Sequence, residues 1–229
     1  MSASKKTVSI VIPTLNEEKG IENSIKAVPM GELQGSFNVE VIVVDGYSND
    51  HTVEIAKSVG AKVIMEKRKG YGRAYKTGFD AAKGDLLIAL DGDATYPASR
   101  IPEFLQLMAN LDFLTTNRFA KIKKEAMSFR NRLGNGVLSF TARFLYGFPF
   151  HDSQSGMWVI RKSAWEKVRD KIKSDGMAFS QEIKIEFWRN GFRCLEAPIE
   201  YNERKGKAKL NPWKDGAKNF LHLFQKKIS

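Results

Sequence analysis

The sequence has very little cysteine and no long apolar run. Cys194 is the single cysteine among 229 residues, which excludes an internal disulfide framework and a cysteine-rich zinc site. No stretch approaches the roughly 18 apolar residues that a membrane-spanning helix needs, and the first six residues are polar, unlike a signal sequence. A reducing compartment, the cytoplasm, is therefore the expected location.

Several catalytic signatures are missing as well. The three histidines form no HExxH pattern, and the sequence contains neither a Walker A loop nor G-x-S-x-G,. The glycines Gly70 and Gly72 are followed by Tyr75, where a dinucleotide-binding fingerprint has its third glycine,. Zinc proteases of the HExxH type, P-loop enzymes, serine hydrolases and hydride-transfer enzymes are thus disfavoured.

The positive charge is plentiful and local. The formal net charge is +11, with 42% hydrophobic and 28% charged residues, as in a folded globular protein,. Six basic residues lie between Arg118 and Arg132, and eight lie between Arg204 and Ser229. Such clusters favour an anionic partner, either nucleic acid, acidic lipid or a phosphorylated substrate.

Short β-branched runs alternate with helical patterns along most of the chain. Because the runs are apolar throughout, they predict a mostly parallel sheet covered by helices on both faces, an α/β fold. The predicted strands are 8–12, 39–44, 62–65, 86–90, 113–116, 158–160 and 194–199. The predicted helices are 17–28, 50–59, 72–83, one from about 99, a long stretch to about 146, 164–172, 180–190 and 212–227.

Acidic residues and glycines follow the predicted strands. Asp91 and Asp93 flank a glycine directly after the strand that ends at Leu90. Parallel α/β sheets bind ligands beyond the carboxyl ends of their strands, and two carboxylates there suit a divalent cation with substrate phosphates. Asp45 ends another strand, and the glycines and cations around Gly70 are predicted to face a diphosphate.

Six motifs in order resemble those of family 2 glycosyltransferases, most of all the dolichyl-phosphate mannose and glucose synthases. They cover nearly all of residues 7–212. The motifs are PTLNEE (13–18), VVDG (43–46) with the stretch to Asp50, KGYGRA (69–74), DGD (91–93), DSQSG (152–156) and ERKGKAKL (203–210).

The resemblance implies a GT-A fold and a nucleotide-diphosphate sugar donor, such as GDP-mannose or UDP-glucose. Asp91 and Asp93 would hold Mg²⁺ or Mn²⁺ and the diphosphate. Arg118 and Arg204 match basic residues that face substrate phosphates, and Arg130 is a third candidate. The residues that match nucleoside contacts are Pro13, Leu15, Glu17 and Asp45.

The implied reaction is a single inverting transfer of a hexose to polyprenyl phosphate. An ionised phosphate oxygen attacks without a strong general base, in keeping with the missing triad. Asp152 and Glu182 are candidates for orienting sugar hydroxyls. A sugar nucleotidyltransferase and a basic nucleic-acid-binding module are the alternatives. The acidic first motif disfavours the nucleotidyltransferase, and no nucleic-acid partner is expected because no binding module is recognisable.

Two helical segments combine apolar stripes with basic residues, which suits the surface of an anionic membrane. We expect a catalytic domain at 1–211 and a basic amphipathic helix at 212–229, peripheral on the cytoplasmic face. For the tail, membrane contact and packing onto the core both remain open, and we expect transfer to survive its removal. For the earlier stripe (Leu133, Val137, Phe140 and Phe144) packing onto the core is expected.

Overall fold

The computed structural model describes residues 5–122, 126–206 and 212–228. The predicted motif residues from 207 to 210 and the cations Lys123 and Lys124 lie outside the described residues, as do the side chains of Trp213 and Lys214. Seven strands form one sheet in the order β3-β2-β1-β4-β6-β5-β7. They are β1 (Thr7–Thr14), β2 (Asn38–Asp45), β3 (Lys62–Met65), β4 (Leu86–Ala89), β5 (Phe113–Ile122), β6 (Trp158–Arg161) and β7 (Cys194–Tyr201).

Four of the six strand pairings in the described residues are parallel, which confirms the mostly parallel sheet. Strand β1 pairs in parallel with β2 and with β4, β2 with β3, and β5 with β7. Strand β6 runs antiparallel between β4 and β5. The antiparallel strand joins two parallel sets, so the ends of β1, β2 and β4 lie at one edge of the first set.

Helices cover both faces of the sheet. They are α1 (Ile21–Lys26), α2 (Met30–Ser36), α3 (Thr52–Ser58), α4 (Tyr71–Ala81), α5 (Ile101–Leu107), α6 (Phe129–Tyr146), α7 (Lys162–Val168), α8 (Phe179–Arg189) and α9 (Pro212–Ile228). Helix α1 is shorter than predicted, and α2 is an additional helix. Pro29 explains the break, because the residue before a proline disfavours helical geometry while Pro29 itself caps α2,.

The alternating side chains of β1 divide the core into two layers. Val8, Ile10 and Ile12 belong to the layer under α1, α3 and α5. Val11 belongs to the opposite layer, beneath α4, α7 and α8. Because β1 is buried on both sides, its carboxyl end is fixed at the centre of the molecule, where the predicted site begins.

Helix α9 is packed against the body of the protein rather than detached from it. Leu223 is fully buried in a cluster with Leu138, Ala142 and Ile185. The Tyr146 hydroxyl also donates to the Leu223 carbonyl at 2.5 Å. This packing argues against the expectation that the tail can be removed without consequence.

Helix α6 exposes the stripe that was expected to pack onto the core, so that expectation is wrong. Leu133, Val137, Phe140 and Phe144 are 60%, 49%, 70% and 80% exposed. The buried residues of α6 (Leu138, Ser139 and Ala142) lie on its other side. The helix has apolar residues on two faces, and only one of them meets the core. Among the described helices, none is long and apolar enough to cross a membrane.

Candidate active site

Three turns at the edge of the sheet have an unusual backbone. Asn16, Tyr47 and Ala94 have positive φ values of 53°, 64° and 62°, and they follow β1, β2 and β4 respectively. Residues other than glycine rarely adopt this conformation, which costs about 1–2 kcal/mol per residue. Such strained backbone tends to occur at functional sites, and here it surrounds the predicted metal carboxylates.

Asp91 is held by two tyrosines of α4. The hydroxyls of Tyr71 and Tyr75 donate to its Oδ1 at 3.0 and 3.1 Å. Desolvation by the surrounding protein and the nearby negative charge of Asp93 raise the pKa of Asp91 to about 7, although the two tyrosine hydrogen bonds oppose the shift. A divalent cation between the two carboxylates would relieve this repulsion.

Asp93 is linked to Glu17 by Arg204. Arg204 Nη1 lies 2.8 Å from Asp93 Oδ2, and its Nη2 lies 2.5 Å from Glu17 Oε1. Thr95 donates to Asp93 Oδ1 through its backbone nitrogen and hydroxyl at 3.1 and 2.7 Å. The structure thus brings together three residues that the sequence placed in the site: Glu17 from the first motif, Asp93 from the fourth and Arg204 from the sixth.

The predicted nucleoside residues surround the ends of β1 and β2. Leu15 is 46% exposed, whereas Asp45 is fully buried. The Asp45 carboxylate accepts hydrogen bonds from the Thr14 hydroxyl at 2.8 Å and from the nitrogen and hydroxyl of Ser48 at 2.8 and 2.6 Å. Asp45 therefore holds the turn that follows β2. Pro13, within β1, is half-buried.

Gly70 is required by packing. Its φ is +139°, and a side chain there would collide with the carbonyl oxygen of Asp175. The same carbonyl accepts a hydrogen bond from the Arg73 nitrogen at 3.0 Å. Gly70 thus fixes the start of α4, the helix that carries the two tyrosines on Asp91. The predicted contact with a diphosphate stays a prediction.

Arg118 and Asp152 form a buried ion pair. Arg118 Nε and Nη2 donate to Asp152 Oδ2 and Oδ1 at 2.7 and 2.9 Å, and both side chains are nearly or fully buried. The backbone nitrogens of Arg118 and Gln154 donate to the same carboxylate at 3.1 Å each. The four hydrogen bonds from Arg118 and Gln154 engage both oxygens, so Asp152 orients Arg118, and its contact with a sugar hydroxyl stays a prediction. The guanidinium lies over the Tyr201 ring, 5.3 Å from its centroid.

Glu182 also has partners in the structure that the sequence did not indicate. Its carboxylate is fully buried, where it accepts from the backbone of Lys173 and Ser174 at 3.0 and 2.7 Å. Lys226 of α9 lies 3.0 Å from the same carboxylate. Glu182 therefore joins α8 to α9, and its contact with a sugar hydroxyl stays a prediction. Arg130, in the first turn of α6, is exposed, and its phosphate contact stays a prediction.

The two tyrosines that contact Asp91 and one buried lysine were not predicted from the sequence as site residues. Tyr71 and Tyr75 are one helical turn apart, a spacing that places both hydroxyls on one face. Lys184 is fully buried in α8 between Ile183 and Ile185. A lysine inside an apolar stretch of helix was the available signal, because lysine is almost never fully buried without a partner.

The chain is similar to known glycosyltransferases. Residues 9–169 match the model of the family described as Glycosyl transferase family 2. A dolichyl-phosphate hexose transferase of Haloferax volcanii is 34% identical over 211 residues, which cover 92% of this chain and 89% of that protein. The low-salt glycan biosynthesis hexosyltransferase Agl6 of the same organism is 35% identical over 214 residues, 92% of this chain. The chain spans about half of Agl6, 51% of its length.

The fold has solved counterparts. Glucosyl-3-phosphoglycerate synthase from Mycobacterium tuberculosis, in complex with Mn²⁺, UDP and glucosyl-3-phosphoglycerate, superimposes with a TM-score of 0.76 at 19% identity. The match covers 96% of this chain and 80% of the other. At this identity the likeness shows the fold, which is GT-A, as the sequence predicted.

Proposed function

The chain belongs to glycosyl transferase family 2, and on that premise we propose that it transfers one hexose from a nucleotide-diphosphate sugar to polyprenyl phosphate at a membrane surface. The observation that carries the proposal is the cluster of Glu17, Asp91, Asp93 and Arg204 at the strand ends, which we call the strand-end cluster. The name of the Haloferax dolichyl-phosphate hexose transferase supports the lipid acceptor.

The carboxylates of this cluster suit a divalent cation. Mg²⁺ and Mn²⁺ prefer oxygen ligands, and one or two carboxylates with substrate phosphates commonly complete their shell. Asp91 and Asp93 provide such a donor set, and their mutual repulsion favours a cation there. When bound, the metal would act as a Lewis acid on the leaving diphosphate.

Arg204 has donor capacity for a phosphate. Among the described residues its buried Nε has no hydrogen-bond partner, while its two terminal nitrogens pair with acids. An unmade hydrogen bond of this kind is costly, and a phosphate oxygen would satisfy it with a charge-assisted bond. The side chain of Arg204 as a whole is 28% exposed.

The reaction then needs little further chemistry from the protein. A phosphate oxygen of the acceptor forms a bond to the anomeric carbon while the bond from that carbon to the diphosphate oxygen breaks. The nucleoside diphosphate leaves, and the configuration is inverted. Arg204 neutralises the phosphate charge that develops, and the metal carboxylates fix the donor.

The membrane contact is assigned to an α6 stripe made of Phe129, Leu133, Val137, Phe140 and Phe144. These five side chains are between 49% and 81% exposed. Arg130, Arg132 and Arg143 are exposed on the same helix. Apolar side chains with basic neighbours match an anionic lipid surface, which we place on the cytoplasmic face.

Purified protein with radiolabelled GDP-mannose or UDP-glucose, Mn²⁺ and polyprenyl phosphate in vesicles tests the reaction. We expect labelled glycolipid and one released nucleoside diphosphate per transfer. A sugar nucleotidyltransferase would form or consume pyrophosphate instead. Absence of glycolipid with every common nucleotide sugar would contradict the proposal.

Vesicle flotation tests the membrane contact. Phe140→Ser with Phe144→Ser should reduce binding to anionic vesicles, while Leu107→Ser, which changes a 40% exposed side chain on α5, should not. High salt should remove only the charge component. Equal flotation of both variants would exclude the α6 stripe as the contact.

A further inference from the structure

Lys184 is an unusual residue in this molecule because it is a fully buried cation with backbone partners. Its Nζ donates to the carbonyl oxygens of Asp152, Ser153 and Ser155 at 3.0, 2.9 and 2.8 Å. Among the described residues, none of the carboxylates forms an ion pair with it. All three hydrogen bonds of the ammonium therefore go to one loop, residues 152–155.

Packing alone does not account for a lysine here. Ile183 and Ile185, its neighbours on α8, are fully buried, and a methionine or leucine would fill the same space. Burying an ammonium without a counter-ion is strongly unfavourable unless hydrogen bonds compensate. The ammonium differs from an apolar side chain in that it holds three backbone carbonyls pointing into the protein. These hydrogen bonds fix the conformation of the loop.

With these carbonyls turned inward, the rest of the loop points to the strand-end cluster. The Asp152 carboxylate meets Arg118. The Gly156 nitrogen, directly after the loop, donates to the Tyr96 hydroxyl at 2.6 Å. A Cβ on Gly156 would stand only 3.2 Å from Asp91 Oδ2, so the loop passes right beside the proposed metal carboxylate.

We propose that Lys184 is a positioning residue for sugar transfer, whose ammonium holds the 152–155 loop so that Asp152 keeps its contact with Arg118 and Gly156 keeps its place beside Asp91. The proposal rests on the proposed function. Lys184 acts through the loop and touches no substrate. A loop displaced by about 1 Å is enough to cost on the order of a hundredfold in rate.

The charge state of Lys184 offers a second readout. Burial lowers its pKa to about 7, although the negative charges of Asp152 and Glu196 oppose the shift and Arg118 adds to it. A neutral amine has two hydrogens for three carbonyls. The loop should therefore loosen, and the rate should fall, as the pH rises above about 7.

The experiment compares Lys184→Met and Lys184→Arg with Lys162→Met. Lys162 also donates to a backbone carbonyl, that of Ala82 at 2.6 Å, but it follows β6 at the opposite end of β4. For each variant we would measure kcat, KM for prenyl phosphate, binding of GDP or UDP with Mn²⁺, and thermal stability.

We expect Lys184→Met to bind the nucleotide with Mn²⁺ as the wild type does, while kcat falls by about tenfold to a hundredfold. Lys162→Met should keep kcat within about twofold of the wild type. Lys184→Arg should retain more activity than Lys184→Met and should lose the fall in kcat above about pH 7, because arginine stays charged. If Lys184→Met does not fold, the proposal is tested by comparing how kcat depends on pH in the wild type and in Lys184→Arg.

Unchanged kcat in Lys184→Met would overturn the proposal, and so would a parallel loss of nucleotide binding. Where Lys184→Met does not fold, identical pH profiles of the wild type and Lys184→Arg would overturn it. These results leave the proposed function intact as long as the wild type and Lys162→Met transfer sugar. An inactive wild type would contradict the proposed function itself, and this proposal with it.

Discussion

Two regions of the molecule use charged side chains in opposite ways. In the strand-end cluster, Arg204 is partly exposed, and its Nε has no hydrogen-bond partner among the described residues. Around the 152–155 loop, Arg118, Asp152 and Lys184 are nearly or fully buried, and each is used to hold the backbone or another side chain. We propose that charges of the first region meet the ligand and that charges of the second maintain the shape around it. Substitutions in the first region should lower activity with little loss of stability, whereas substitutions in the second should lower stability as well.

The largest effect is expected in the strand-end cluster. Asp93→Asn or Asp91→Asn should lower transfer by about a thousandfold or more, because metal and electrostatic stabilisation of the leaving group are lost. The melting temperature should change little. Asp85→Asn is the matched control. The Asp85 carboxylate accepts a hydrogen bond from the Thr7 backbone nitrogen at the other end of the sheet. Full activity in EDTA would remove the metal from the mechanism.

Arg118→Met should lower the free energy of unfolding strongly, in addition to its effect on transfer through the 152–155 loop. The change leaves the Asp152 carboxylate buried and unpaired, which costs about 3–5 kcal/mol of the free energy of unfolding. Denaturant unfolding of Arg118→Met should be compared with the double variant Arg118→Met/Asp152→Leu, which should recover part of the loss. If Arg118→Met is as stable as the wild type, the buried ion pair does not have the structural role described for the second region.

Arg204→Ala should show the opposite pattern. We expect a loss of about tenfold or more in kcat/KM, because a charge-assisted phosphate contact is removed. The free energy of unfolding should fall by only about 1 kcal/mol, since the ion pairs of Arg204 are partly exposed,. Unchanged kcat/KM would take Arg204 out of the phosphate site.

Helix α9 extends the second region to the end of the described chain. Leu223→Ala should lower the free energy of unfolding by about 2–5 kcal/mol, as for other buried leucines. Phe224→Ala, at a 42% exposed neighbour, should have a much smaller effect. Equal effects of the two substitutions in chemical denaturation would show that α9 is not part of the core.

The last prediction concerns Glu182 and the pH dependence of stability. Burial alone would raise its pKa, but hydrogen bonds from His222, Lys173, Ser174 and Lys226 lower it to about 2. A lowered folded-state pKa contributes stability above the unfolded value, and this contribution is lost as the pH falls from about 5 to about 2. Glu182→Gln should flatten the acid limb of the stability curve. If the wild type and Glu182→Gln lose stability equally as the pH falls, the lowered pKa of Glu182 is contradicted.

The sequence predicted the carboxylates of the strand-end cluster because their signals are local. Glu17, Asp91 and Asp93 come just after β-branched runs, and parallel strands bring such ends to one edge. Arg204 has no such signal and was placed there by the family resemblance. The ion pairs of Asp152 with Arg118 and of Glu182 with Lys226 were not predicted, because these partners lie far apart in sequence and no periodicity reports such pairs. The exposed face of α6 could not be chosen from its pattern either, since the helix has apolar residues on two sides.

The antiparallel strand β6 has a consequence for how the chain folds during synthesis. Strands β1 to β4 pair among themselves, whereas β5 and β7 reach them only through β6. Until the ribosome has made Trp158–Arg161, the four-stranded first set has β4 as an open edge, and its residues Leu86–Ala89 are all buried in the finished protein. An apolar open edge invites association with other chains. The nascent chain should therefore be most prone to aggregate, and to need a chaperone, in the interval between completion of β4 and arrival of β6.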